Sequence, residues 1–368
     1  MKKCITVGIS TIILSTLLAG CQKNPSVETP EPEQPAAFVN LGADANCFIT
    51  PLSDSCRFAT TRAKGSVASA RLIWESTPGM ISGLQYQDDG VGFRATANGN
   101  ALVAACDETG SILWSWHIWC PEVAVETVLT KSGYQLMCLN LGAMDNKEGS
   151  ASSYGLLYQW GRKDPFPASP TATGDTKTVG VVYGPEGRQL AMGVGSYAEK
   201  DGTIEASIAN PTTVYSNYAT YGKNMDWLAV GDNTLWGDEK TLYDPCPAGY
   251  KVPGTDVFLS FTTTGGYTTN PADFDIAEGS GWNGGWTFNM ADGSLYFPAA
   301  ARYDGTYAML YGSVSGLWGS YWGAATGSQD DYGACILAFQ QGSVSAVASA
   351  SKADAYSIRC VKETVLPE

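Results

Sequence analysis

Between residues 40 and 120 no window carries a helical 3.6-residue pattern, and seven short apolar runs are cut apart by residues that bend the backbone. The runs are Cys47–Thr50, Cys56–Thr60, Ser69–Glu75, Ile81–Gln87, Val91–Ala97, Ala101–Cys106 and Ser111–Trp119. Between them stand Pro78-Gly79, Asp88-Asp89-Gly90, Asn98-Gly99-Asn100 and Thr109-Gly110, each suited to a tight connection. Short strands at this spacing predict a compact antiparallel β-sandwich over residues 40–125.

The last of these runs is apolar on both faces. In a strand, Ile112, Trp114, Trp116 and Ile118 share one side, while Leu113, Ser115, His117 and Trp119 share the other. A strand buried on both sides is expected, and with it a packed His117 rather than a catalytic one. His117 is the only histidine of the chain, so multi-histidine metal sites are excluded, and a Ser-His-Asp or Cys-His set would hang on that one position.

From Thr127 the texture changes to long irregular stretches rich in Gly, Tyr and Trp. Two windows read as helices. Ser150–Trp160 would bury Leu156, Leu157 and Trp160, and a second would start with Thr255 as N-cap, Asp256 in its first turn and Val257, Phe258, Leu259 and Phe261 following. Residues 163–240 read as a loop-rich insertion of the kind that is usually functional or flexible.

The N-terminus sets the location. Lys2 and Lys3 precede an apolar run that ends in Leu18-Ala19-Gly20-Cys21, the layout of a cleavable secretory signal over residues 1–20. The run is short of the ~20 apolar residues a bilayer span requires. Its end resembles the lipobox of bacterial lipoproteins, which implies lipidation of Cys21 and an outer-membrane anchor facing the cell exterior. Residues 21–39 follow as a disordered tether. Pro25, Pro30, Pro32 and Pro35 alternate there with Glu28, Glu31 and Glu33, and Val27 is the one large apolar side chain from Gln22 to Ala37. Cleavage leaves 348 residues and moves the net charge from −14 to −16, which argues against a phosphate-tracking surface and hence against nucleic acid.

Four ordered segments then become recognisable. They are Tyr154-Gly155-Leu156-Leu157-Tyr158-Gln159-Trp160-Gly161-Arg162-Lys163-Asp164, Tyr243-Asp244-Pro245-Cys246-Pro247-Ala248-Gly249-Tyr250-Lys251-Val252-Pro253, Phe297-Pro298-Ala299-Ala300 and Ile358-Arg359-Cys360-Val361. The series resembles the Fibrobacter succinogenes major paralogous domain of Bacteroidetes surface lipoproteins. The resemblance implies an α+β, C-type lectin-like domain rich in irregular loops over residues 126–368, preceded by the β-rich partner found in fimbrial tip-like proteins. One departure stands out: where relatives read Met-Asp-Arg-Asn-Leu-Gly-Ala, this chain has Met137-Cys138-Leu139-Asn140-Leu141-Gly142-Ala143.

After loss of Cys4 and lipidation of Cys21, eight cysteines remain, with no C-x-x-C pair to suggest zinc and no spacing that assigns partners. The family pattern implies a staple from Cys246, held between Pro245 and Pro247, to Cys360 near the chain end. Cys47 and Cys56 form a second expected pair, and Cys106 and Cys335, in apolar surroundings, are expected to stay free.

Seven of the eleven tryptophans lie after Thr127. Flat aromatic side chains can stack on the C–H faces of sugar rings while Asp, Asn and Gln take the hydroxyls. Trp282, Trp286, Trp318, Tyr321 and Trp322 are the candidate ligand-binding residues. The Glu-Pro-Asn, Gln-Pro-Asp and Trp-Asn-Asp triplets of calcium-dependent lectins are missing, Trp282-Asn283-Gly284 lacks the acid, and Asp88-Asp89 and Asp330-Asp331 read as solvated turns. No metal, cofactor or catalytic residue is expected. The leading reading is a cell-surface adhesin or binding protein for a glycan or protein ligand. The alternative is a fimbria-associated or tip subunit contacting other fimbrial subunits. An enzyme is disfavoured, because the paired cysteines of the formylglycine-generating enzymes that share the fold do not occur.

Overall fold

The computed structural model describes residues 38–169, 181–191, 202–216, 225–311, 314–326 and 333–363. Cys21 and the segment read as a lipobox, nearly all of the stretch read as a tether and the Asp330-Asp331 pair lie outside the described residues.

The first half supplies eight strands: β1 (Val39–Asn40), β2 (Cys47–Ile49), β3 (Ser55–Ala59), β4 (Ser69–Glu75), β5 (Ile81–Gln87), β6 (Gly90–Ala95), β7 (Gly99–Cys106) and β8 (Ile112–Cys120). After these come β9 (Thr127–Leu129), β10 (Gln135–Met137), β11 (Leu156–Gln159), β12 (Phe166–Pro167), β13 (Val181–Tyr183), β14 (Gln189–Ala191), helix α1 (Ile204–Ala209) and β15 (Tyr250–Lys251). The chain continues through β16 (Tyr267–Thr268), β17 (Gly285–Met290), β18 (Gly293–Pro298), β19 (Tyr303–Asp304), β20 (Met309–Leu310), β21 (Gly319–Thr326), β22 (Gly333–Gln340), β23 (Ser343–Ser351), β24 (Ala355–Ser357) and β25 (Val361–Lys362). The fold is β-rich throughout.

A four-stranded sheet, β1-β3-β6-β5, packs on a six-stranded one, β14-β13-β4-β7-β8-β2. Alternation decides what lies between them: Cys56 and Phe58 of β3, Val91 and Phe93 of β6, and Trp114, Trp116 and Ile118 of β8 form one buried cluster. The second sheet does not end with the sandwich. Tyr183 of β13, from the insertion, registers with Glu75 of β4 and extends the sheet.

The other face of β8 belongs to a different core. Trp119 joins a cluster with Leu139, Leu156, Trp160, Trp236 and Trp322, and its Nε1 donates to the Ala143 carbonyl at 2.8 Å. Residues 40–125 and 126–363 are therefore not packed as separate bodies. The chain from Ala37 onward is one compact unit, and β8 is the wall between two of its cores.

Polar side chains on that second face find partners in the later half, and His117 also in Asn100 of β7. Lys163 Nζ donates to Asp164 Oδ1 and Ser115 Oγ, both at 2.6 Å, and Ser115 Oγ donates to Asp164 Oδ1 at 2.7 Å. Lys163 and Asp164 are 3% and 2% exposed, with the ammonium 4.7 Å from the centre of the Trp114 ring. His117 Nε2 lies 2.8 Å from Asn100 Oδ1, and the Tyr158 hydroxyl is 3.4 Å from Nδ1. A neutral ring with its proton on Nε2 satisfies both partners, and burial pushes the His117 pKa down to about 3.

This makes one pH prediction. Below pH ~6.5 the unfolded chain binds a proton that folded His117 refuses, so stability falls as pH drops from there toward about 3. Between pH 7 and 4.5 this group alone is expected to cost about 2–3 kcal/mol, and His117→Gln should remove that slope. Paired urea titrations at the two pH values check it; equal pH slopes for the wild type and the variant would refute it.

In the later half, β12-β11-β24-β21-β22-β23-β16 form the main sheet, with the β19–β20 hairpin joined through β24. Its central strands are also buried on both faces. Tyr321 of β21 and Leu337 and Phe339 of β22 enter a core with Phe258, Phe261, Phe288 and Phe297, while Trp322 and Ile336 face the core shared with β8. A smaller sheet, β15-β25-β10-β9, holds the last described strand, and Cys246 is disulfide-bonded to Cys360 beside it.

Three expectations are corrected. Cys47 and Cys56 are not paired: they sit on strands of different sheets, both thiols are free and buried, and burial pushes Cys56 up to about 11 and Cys47 higher still. The Ser150–Trp160 window is not a helix. Ser150 caps a single 3-10 turn, Ala151–Ser153, and Gly155, at φ +70°, turns the chain into β11. A Cβ at Gly155 would stand 2.6 Å from the Leu141 carbonyl oxygen, so no other residue fits there. The second window is a 3-10 helix, Thr255–Phe261, capped by Gly254 without a side-chain bond rather than an α-helix capped by Thr255. Among the described residues α1 is the one α-helix.

Candidate functional site

A cleft of about 660 Å³ opens over β22 and β23 and the loops at their ends. Its origin is a strand with almost no side-chain bulk. β23 reads Ser-Val-Ser-Ala-Val-Ala-Ser-Ala-Ser, and its register sets Ser343 against Gln340, Ser345 against Ala338 and Ala348 against Ile336. Small residues leave a shallow floor where larger ones would fill the space.

One wall carries the charge. Arg302, just before β19, spreads its guanidinium 5.3 Å from the centre of the Trp318 ring and 6.0 Å from that of Tyr311. Its Nη atoms lie 4.0 Å from Asp304 Oδ2 and from Asp354 Oδ2, and Nη1 donates to the Tyr356 hydroxyl at 3.4 Å. That hydroxyl donates in turn to Asp354 Oδ2 at 2.7 Å. Burial pulls the Arg302 guanidinium down, but Tyr356, Asp354 and Asp304 outweigh it and hold the cation above its ordinary range.

The carboxylates also shape the backbone. Asp304 Oδ1 accepts from the amides of Thr306 and Tyr307 at 2.9 and 3.1 Å, and Asp354 Oδ1 accepts from that of Gly305 at 2.7 Å. Gly305 passes so close to Ala353 that a Cβ would meet its carbonyl carbon at 2.4 Å. The result is a rigid polar rim with its charges mutually engaged, next to aromatic surface: Trp318 is 39% and Tyr267 68% exposed. Such a surface suits a neutral ligand with one apolar face and several hydroxyls.

Of the five aromatic residues picked from the sequence, only Trp318 lines the cleft. Trp282 is half-buried, its edge on Trp286 and its Nε1 donating to the Gly316 carbonyl at 3.2 Å. Trp286 is buried and donates to the Gln340 carbonyl at 3.0 Å. Tyr321 and Trp322 are wholly buried, with Tyr321 donating to the Pro298 carbonyl and Trp322 to that of Tyr158. These four belong to the core. Arg302, Asp304, Asp354 and Tyr267 were missed, although the small-residue alternation of 343–351 is a sequence signal for a hollow beside a strand.

Among the described residues, no three His, Cys, Asp or Glu side chains converge as metal ligands. Nothing matches this chain in comparisons with protein-family models, curated proteins or solved structures.

Proposed function

We propose that the chain is a lipid-anchored outer-membrane protein displayed on the cell surface, with a C-type lectin-like second half of the major paralogous kind, that binds a glycan without performing chemistry on it. The observation that carries the reading is the cleft over β22 and β23. A partly exposed tryptophan there stands beside an arginine, two carboxylates and a row of serines. Stacking on Trp318 would hold the apolar face of a sugar ring, and the polar rim would take its hydroxyls. Asp304 and Asp354 are committed to backbone amides and to Arg302, which suits positioning better than proton transfer. The lipobox and the acidic, proline-rich tether fit display at a distance from the membrane.

The test is a glycan array probed with the detergent-solubilised full-length lipoprotein. Trp318→Ala is expected to lower affinity for the bound glycans about tenfold, the worth of one stacked ring. Circular dichroism should stay unchanged, because the side chain is not in the core. An array with no bound glycan, or equal binding by the variant, would count against the reading.

A further inference from the structure

A second polar cluster lies beneath the rim of the cleft. Lys352, in the turn between β23 and β24, is wholly buried, with Nζ 4.4 Å from the centre of the Trp160 ring. That Nζ donates to Asn233 Oδ1 and lies 3.5 Å from Asp226 Oδ2. The turn is gripped from several directions. Its Lys352 carbonyl accepts from the Trp160 amide at 3.2 Å, the Ala353 amide donates to the Met225 carbonyl at 3.3 Å, and the Ala353 carbonyl accepts from Gln159 Nε2 at 2.6 Å. The amine is thus held beside the Asn233 amide group instead of sampling many positions, the condition under which an intramolecular reaction gains most.

The surroundings favour a protonated Asp226. Asp226 is 2% exposed, and burial raises its carboxyl above the ordinary range against the pull of the Leu228 amide and Lys352. A buried ion pair is costly, and the same two groups are neutral as an amine and a carboxylic acid. A desolvated neutral lysine is a nucleophile. The carboxamide carbon of Asn233 is bonded to the oxygen that Lys352 already touches, and Asn233 is exposed, so ammonia can leave into solvent.

We propose that Lys352 and Asn233 join in an intramolecular isopeptide bond, with Asp226 carrying the proton. The Nζ–Cγ bond forms and the Cγ–Nδ2 bond breaks. One proton passes from Nζ to the departing nitrogen by way of the Asp226 carboxyl, and ammonia is released with no oxidant or co-reactant. The bond ties residues 119 apart in sequence and fixes the Met225–Asn233 segment to the turn that carries Asp354. It does not depend on what the cleft binds.

Peptide mapping of the purified full chain, reduced and alkylated, tests this. Wild type is expected to give a branched peptide containing both Asn233 and Lys352, lighter than its two parts by one ammonia. Asn233→Ala, at an exposed side chain, should abolish it with the fold intact by circular dichroism, and Asp226→Asn should cut its yield at least tenfold. Recovery of Asn233 and Lys352 in separate linear peptides from folded wild type overturns the cross-link, leaving a plain buried lysine–aspartate pair. Full cross-linking in Asp226→Asn overturns the proton-carrying role.

Discussion

Asp164→Ala is expected to destabilise the protein by about 3–5 kcal/mol, because it strands the Lys163 ammonium in the wall between two cores with no counter-charge. Lys163 is 3% exposed, and burial already pulls it below its ordinary range against the attraction of Asp164. What the carboxylate supplies is the compensation of a cost, not a surplus. The double variant Lys163→Met with Asp164→Leu should therefore recover most of the loss, since apolar side chains of similar volume carry no desolvation cost. Urea denaturation of the wild type and both variants measures the three stabilities. A loss under about 1 kcal/mol for Asp164→Ala, or an equal loss in the double variant, would show that the cluster is not balanced in this way.

The second large effect is expected from the disulfide. Cys246 and Cys360 are 114 residues apart, and on the loop-entropy account a tie of that span stabilises by about 4–5 kcal/mol, an upper figure whose mechanism is disputed. The bond also holds one particular element. The Met137 amide donates to the Cys360 carbonyl at 2.9 Å, and β25 lies between β15 and β10, so the cysteine anchors the strand that closes the small sheet. With Cys246→Ser and Cys360→Ser together, the urea midpoint should fall, and amide exchange should rise first in β25, β15 and β10. An unchanged midpoint would mean that packing alone holds the chain end.

The first half was legible because its determinants are local. Turn residues placed β4 and β5 at their observed limits and β2, β3, β6, β7 and β8 within two residues, with β1 not anticipated, and the two apolar faces of β8 marked it as a strand buried on both sides. The Ser150–Trp160 window misled because Leu156, Leu157 and Trp160 fit a helical period as well as a strand entering a doubly buried sheet. The deciding residue was Gly155, whose positive φ is set by its approach to Leu141. Aromatic exposure was not legible at all. Tyr321 and Trp322 point to opposite sides of β21 and both are buried, since a core waits on each side, a fact of tertiary packing that composition does not carry. The departing motif shows the same limit. Asn140 accepts from Arg359 Nε and Nη2 at 2.8 and 2.6 Å, and the guanidinium stands 4.1 Å from the centre of the Phe297 ring, so neutral partners surround a cation that burial lowers to about 10.

The doubly buried β8 also bears on how such a chain could be inherited. Its sequence-level seam near residue 125 invites the picture of two modules exchangeable by recombination. Yet Ser115, His117 and Trp119 are finished by Asp164, Tyr158 and Ala143 from beyond that seam. A transplanted first half would carry away half a wall, and a transplanted second half would leave one behind. For descent by shuffling, the unit is the whole sequence from Ala37 onward.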